Sequence, residues 1–164
     1  MDGQYRQLIN SSQSFAVKFL KDWFYYITQS LYAAFALGIF ILAIGGEKKV
    51  AISSLAATAF IVFAMPKAAS ARFRNVVGGH LTALLCGVLF LYIPLPYYFE
   101  YPSVVALAFF IMVALDFEHP PAAGTALAVV MHEITTRDFF LILAGAVILG
   151  LLHTLLAKRL KDLV

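Results

Sequence analysis

Ten residues, Asp116-Phe117-Glu118-His119-Pro120-Pro121-Ala122-Ala123-Gly124-Thr125, place two carboxylates, an imidazole and a hydroxyl between two apolar runs, Val104–Leu115 and Ala122–Met131. Such groups are costly inside a membrane, so they need a reason. Histidine is the side chain that ordinarily titrates near physiological pH, so His119 is a candidate to donate a proton-linked hydrogen bond to an anion. Asp116 and Glu118 can hold that imidazole charged or act as steps of a proton path; solvation at the mouth of a site suits them equally. Ser53, Ser54, Thr58 and Thr125 supply hydroxyl donors. A plainer reading stands beside this one: the prolines kink a helix, and His119 bonds a backbone carbonyl.

Other chemistry is less well supported. His119, Glu118, Asp116, His80, His132 and Glu133 are ligand types, yet no pair has a dedicated metal spacing such as His-x-x-x-His, and no nucleophile stands beside a base. Neither an enzyme nor a bound cofactor is expected.

The prolines decide which elements carry these groups. A proline ring clashes with the preceding helical turn and brings no N–H, but it suits the first turn of a new helix. The pattern predicts a helix over Val104–Phe117, a break at Glu118–His119, and a second helix over Pro120–Glu133. A helix start carries roughly half a positive charge and unpaired N–H donors.

Composition sets the surroundings. Of the 164 residues, 62% are hydrophobic and 13% charged, against about 25% charged in soluble domains. With a mean hydropathy of +0.88, the chain reads as an all-α integral membrane protein. Its single cysteine, Cys86, lies in an apolar run and reads as a small core residue. No central apolar stretch marks the first twenty-odd residues as a secretory signal. Residues 1–25 form a polar segment, partly disordered at first. Leu8, Phe15, Phe19 and Trp23 then fall near helical spacing, flanked by Arg6, Lys18 and Lys21, as in a helix lying in the interface with Trp23, Tyr25 and Tyr26 at headgroup level.

Residues 26–164 form the transmembrane domain. Spans are expected at Tyr26–Ile44, Val50–Met65, Val76–Ile93 and Phe139–Ala157, with the two short helices around His119 between the last two. Pro94–Pro102 reads as an aromatic turn. The short helices are either two spans, giving six crossings, or a re-entrant hairpin, giving four. Nine of the 12 basic residues fall on one side, and Lys48, Lys49 and Arg137 on the other. Both termini are therefore expected on the cytoplasmic side. The basic residues sit at span ends, so no nucleic-acid partner is expected; lipid is.

A weak internal repeat connects the polar groups. Ala56, Thr58, Ala59 and Val62 match Ala123, Thr125, Ala126 and Val129, and Arg74, Ala83, Gly87 and Leu89 match Arg137, Ala146, Gly150 and Leu152. Three helices repeated as three would be inverted in the membrane, a transporter arrangement. It would aim the starts of two short helices, at Ser53-Ser54 and Pro120-Pro121, at one place as an anion site. Gly79, Ala83 and Gly87, like Ala146, Gly150 and Thr154, form small-residue seams suited to close helix packing within the subunit or in a homo-oligomer.

The stretch Glu118-His119-Pro120-Pro121-Ala122-Ala123-Gly124-Thr125-Ala126-Leu127 resembles the signature of the HPP family of integral membrane proteins. Arg74-Asn75-Val76-Val77-Gly78-Gly79-His80 resembles that family's second block, and the likeness covers about Val50 to Leu156. The family usually reads Pro-Pro-Ala-Gly-Ala-Thr after its histidine; here Ala123 and Gly124 stand in the reverse order. Its plant chloroplast and cyanobacterial members are associated with nitrite transport. The resemblance implies a transporter or channel for a small monovalent anion, nitrite foremost. It puts His119, Pro120 and Pro121 at the core of the site, with Asn75, Gly79 and His80 on the facing helix. A non-transporting membrane scaffold or sensor is the alternative.

Overall fold

The computed structural model describes the backbone of every residue except Met1, Glu47 and Glu133, and side chains from Val17 onward apart from Lys18, Phe19, Glu47 and Glu133. Among these the chain forms six α-helices: α1 (Asp2–Ile44), α2 (Lys49–Ala64), α3 (Phe73–Phe90), α4 (Tyr97–Ala114), α5 (Pro121–His132) and α6 (Thr136–Leu156), with a 3-10 turn at Ala69–Ala71. Four segments are long and apolar enough to cross a membrane: Leu20–Ile44, Phe73–Phe90, Tyr97–Ala114 and Thr136–Leu156. The shorter α2 and α5 have 16 and 12 residues. At 1.5 Å per residue α5 reaches only about 18 Å, against a hydrocarbon core of roughly 30 Å.

α3 and α6 each start three residues earlier than read in the sequence, at Phe73 and Thr136, and three larger differences stand beside these. α1 continues through residues 25 and 26, so the N-terminal segment and the first span are one helix. The amphipathic pattern of Arg6, Leu8, Phe15, Lys18 and Phe19 involves side chains outside the described residues. The aromatic turn before residue 102 is also helix: α4 starts at Tyr97. Pro102 stands early in α4, where one missing backbone bond does not end the helix.

The third difference concerns the break. α4 ends before the prolines, in a Schellman motif. Phe117 N–H reaches back to Met112 O at 2.8 Å and Asp116 N–H to Val113 O at 3.2 Å, and Asp116 takes the left-handed conformation, φ 58°. That is the C-terminal geometry a glycine usually supplies; Asp tolerates it better than most side chains. Pro120 and Pro121 therefore start α5 without being what stops α4.

Lys48 gathers one end of the bundle. Its Nζ donates to His132 O and pairs with Asp138, both at 3.3 Å. Asp138 also completes the capping box of α6 with Thr135. At the opposite end Gln29 holds the C-terminal tail: its Oε1 accepts from Lys161 N–H at 2.9 Å, and its Nε2 donates to Lys161 O and Phe63 O. Lys161 Nζ pairs with the buried Asp22 beside it.

α3, α5 and α2 form the centre. α3 packs on α5 and α6, and α2 on α5 and α1, with α4 outside α3 and α5. One apolar core joins Phe40, Leu55, Phe63, Leu84, Val129, Ile142 and Leu149. The other joins Ala83, Cys86, Phe90, Val104, Met112 and Ala126; Cys86 is buried there. Leu42, Phe109, Phe110 and Leu155 lie exposed on the outer helices, as lipid-facing side chains do in a bilayer.

Candidate functional site

The first two turns of α3 form a docking strip for residues 115–119. Arg74 Nη1 pairs with Asp116 Oδ2 at 2.7 Å, its Nη2 donates to Leu115 O at 2.9 Å, and its guanidinium lies 5.0 Å from the centre of the Phe117 ring. Asn75 Nδ2 donates to Glu118 O at 3.3 Å. A Cβ on Gly78 would meet Phe117 Cγ at 2.7 Å, and one on Gly79 would meet His119 Cβ at 2.7 Å and Phe117 O at 3.1 Å. Only glycine lets the break sit this close to the helix. Two motifs far apart in sequence thus meet almost residue by residue.

This docking drives His119 into the centre of the bundle. His119, His80, Thr58 and Thr125 are wholly buried and Ser54 nearly so. His119 Nδ1 lies 2.7 Å from Ser70 O, and its Nε2 lies 2.9 Å from Thr58 Oγ1. Thr58 Oγ1 is also 2.9 Å from His80 Nε2. His80 Nδ1 is 2.8 Å from Thr125 Oγ1, which is 2.8 Å from Ser54 Oγ. Ser54 Oγ donates to Pro121 O at 2.6 Å. The result is a run from the carbonyl of Ser70 to that of Pro121, branched at Thr58, whose hydroxyl also has Ser54 O as an acceptor at 3.0 Å. A buried polar group without a partner costs about 1–3 kcal/mol; this run places a polar neighbour within 2.9 Å of each of them.

The two helix starts read in the sequence as an anion site do not face each other. α2 and α5 lie antiparallel along their lengths: Lys48 reaches His132 at the end of α5, Ser54 meets Pro121, and Thr58 meets His119. The start of α2 is therefore at the far end of α5. Nor does α5 offer free donors in its first turn. Pro120 and Pro121 have no N–H, and those of Ala122 and Ala123 turn back to His119 O and Pro120 O at 2.9 and 3.1 Å.

Ser53 also leaves the group. It is exposed, and its hydroxyl bonds Lys49 O in its own helix at 2.9 Å. The carboxylates do not hold His119: Asp116 and Glu118 are exposed, and Asp116 is paired with Arg74. The imidazole bonds a backbone carbonyl instead. Ser54, Thr58, Thr125, Gly79, His80 and His119 come together, with Pro121 contributing its carbonyl and Asn75 pinning the break; Pro120 is exposed at the edge. Among the described residues, no three of His, Cys, Asp and Glu are grouped to hold a metal. His132 lies at the far end of α5, and Glu133 is outside the described residues.

Two participants were not legible as site residues. Ser70 acts through its carbonyl, so its side chain gives no signal. Arg74 stood within the second motif, and its spacing from Asn75 and Gly78 was the available clue.

Two cavities among the described residues lie elsewhere. One of about 340 Å³ between α1, α2 and α6 is lined by Phe35, Phe40, Leu55, Phe63 and Leu149. Another of about 270 Å³ lies beside Gln29 and Val164.

Comparison with known proteins bears on this arrangement. The sequence model of a family described as HPP, transmembrane region, matches residues 17–162. A transmembrane protein of Dictyostelium discoideum is 33% identical over 116 residues, 65% of this chain and 41% of the relative. The chain thus spans about two fifths of that relative's length. No solved structure matches.

Proposed function

This chain belongs to the HPP transmembrane family, and from that premise we propose that it is a transporter or channel for a small monovalent anion, nitrite foremost. The observation that carries the reading is the buried run itself. Wholly buried polar side chains at an interrupted helix, inside a membrane bundle, are expensive to maintain and are more often functional than structural. Thr58 and His80 come from the first three helices, and His119 and Thr125 from the break and α5. The run therefore stitches the two halves of the chain together. If those halves are inverted repeats, rocking one against the other would open this seam and expose His119 and the hydroxyls to an anion.

On this reading the arrangement described above is the closed state. Anion recognition falls to the imidazoles and hydroxyls, with the positive end of the α5 dipole adding a favourable field. The end carrying Lys67, Arg72, Arg74, Lys158 and Arg159 faces the cytoplasm, by the excess of basic residues.

One observation favours the rival reading of a membrane scaffold or sensor: the polar groups of the run contact one another within the protein. Nitrite uptake by vesicles containing the purified protein separates the two. Saturable uptake supports the transporter, and none of nitrite, nitrate, formate or chloride entering supports the scaffold.

A further inference from the structure

The polar run can be counted in hydrogens. Its two ends, Ser70 O and Pro121 O, only accept. Ser54 must donate its one hydrogen to Pro121 O. Thr125 must then donate to Ser54, and His80 Nδ1–H to Thr125. At the other end His119 Nδ1–H must donate to Ser70 O. Both neutral imidazoles are thereby fixed as Nδ1–H tautomers. Each then presents a bare Nε2 to the same hydroxyl, Thr58 Oγ1, at 2.9 Å. Thr58 has one hydrogen and three acceptors for it: these two nitrogens and Ser54 O, 3.0 Å away. In the neutral state at least one of the two nitrogens lacks a hydrogen.

We infer that His119, Thr58 and His80 form a binding site for one proton, shared between the two imidazoles. A proton from solvent bonded to His119 Nε2 donates to Thr58 Oγ1, and the Thr58 hydroxyl donates to His80 Nε2. Every link between Ser70 O and Pro121 O is then filled, with the Thr58 hydrogen turned from Ser54 O to His80. Passing the charge inward needs no other group. The N–H bond at His119 Nε2 breaks as an O–H bond forms on Thr58, while the original Thr58 hydrogen leaves its oxygen and bonds His80 Nε2. One hydrogen enters and one leaves the hydroxyl, and the positive charge moves from one ring to the other.

A second proton is excluded by charge. The ring centres are 5.2 Å apart, and two imidazolium ions at that distance inside a protein repel strongly. Among the described residues, the packed elements supply no counter-charge. α2 presents Ser54 and Thr58, the 3-10 turn the Ser70 carbonyl, α3 Asn75 and His80, and α5 Thr125. Glu118, Asp116 and Arg74 are exposed, with the last two paired. On α6, His153 bonds Pro66 O at 2.8 Å, and Asp138 belongs to the Lys48 end. An uncompensated buried charge is what an accompanying anion would neutralise. Coupling of one proton to one anion rests on the transport reading; the proton site does not.

The test is nitrogen-15 NMR of histidine-labelled protein in bilayer discs, titrated from about two units above to two units below the ordinary histidine pKa of about 6.5. Wild type and Thr58→Ser should show both Nδ1 atoms protonated throughout, and a single one-proton step at Nε2 divided between His80 and His119. Thr58→Val, which removes the shared hydroxyl, should lose that step. Two independent one-proton steps in wild type, no Nε2 protonation across the range, or an unchanged step in Thr58→Val would each overturn the inference. A one-proton step in protein that takes up none of nitrite, nitrate, formate or chloride in vesicles would leave the site standing and remove the transport reading instead.

Discussion

Gly79 and His119 are in such close contact that a Cβ added to the glycine would stand 2.7 Å from the histidine Cβ. This contact joins the two sequence motifs, and it sets how deep the imidazole sits between Thr58 and Ser70.

Gly79→Ala should therefore push residues 117–119 away from α3. Overpacking of this kind costs about 1–3 kcal/mol, which would appear as a lower unfolding temperature in detergent. Gly46→Ala, at a position with nothing within 4 Å of an added Cβ, is the control and should melt near wild type. Equal melting of the two variants would mean that the close approach does not matter.

Ser53 and Ser54 are neighbours in the chain with different prospects. Ser54→Ala removes the donor to Pro121 O and the acceptor for Thr125. A loss of about 1–3 kcal/mol is expected from the stranded buried groups. Ser53→Ala removes only a bond within an exposed turn and should fall within about 0.5 kcal/mol of wild type. Denaturation of both in the same detergent checks the difference.

Asp116 is placed as a helix terminator. Asp116→Gly keeps the left-handed conformation and loses an exposed ion pair worth roughly 0–1 kcal/mol, so stability and anion flux should both persist. Asp116→Val should destabilise by about 1–2 kcal/mol, because the left-handed region disfavours a branched side chain. Flux abolished in a folded Asp116→Gly protein would restore the carboxylate as a proton carrier.

Gln29 ties the chain's last residues to α1. Gln29→Leu removes the acceptor for Lys161 N–H and both carbonyl contacts. Hydrogen exchange at Lys161 and Leu163 should quicken, while exchange within α3 stays as in wild type.

Much of this architecture was legible in the sequence. Apolar runs and turn residues located the helices, and the prolines marked the start of α5. His80 and His119 belonged to separate motifs, and the Thr58–Thr125 match placed the hydroxyls near them. Geometry that depends on direction was not legible. Nothing in Ser53-Ser54 says that α2 and α5 overlap side by side, because the same letters serve helices meeting end to end. The end of α4 was hidden because Asp116 does there what glycine usually does. Pro102 misled because its place in a helix depends on where the helix starts, and Tyr97 gives no cap signal.

Motion at the seam between α2 and α5 is the central claim, and a reversible lock across it is the most direct measurement. A Cβ on Gly124 would lie 3.4 Å from Ser54 Cβ, close to the 3.5–4.5 Å that a disulfide spans. Nitrite uptake would be followed in vesicles holding Ser54→Cys/Gly124→Cys protein in a Cys86→Ala background, oxidised and then reduced in the same preparation. The account predicts uptake by the reduced protein, below wild type because the Ser54 hydroxyl is gone, that is lost when the disulfide forms and returns on reduction. Uptake by the reduced protein that continues undiminished after complete oxidation would contradict it.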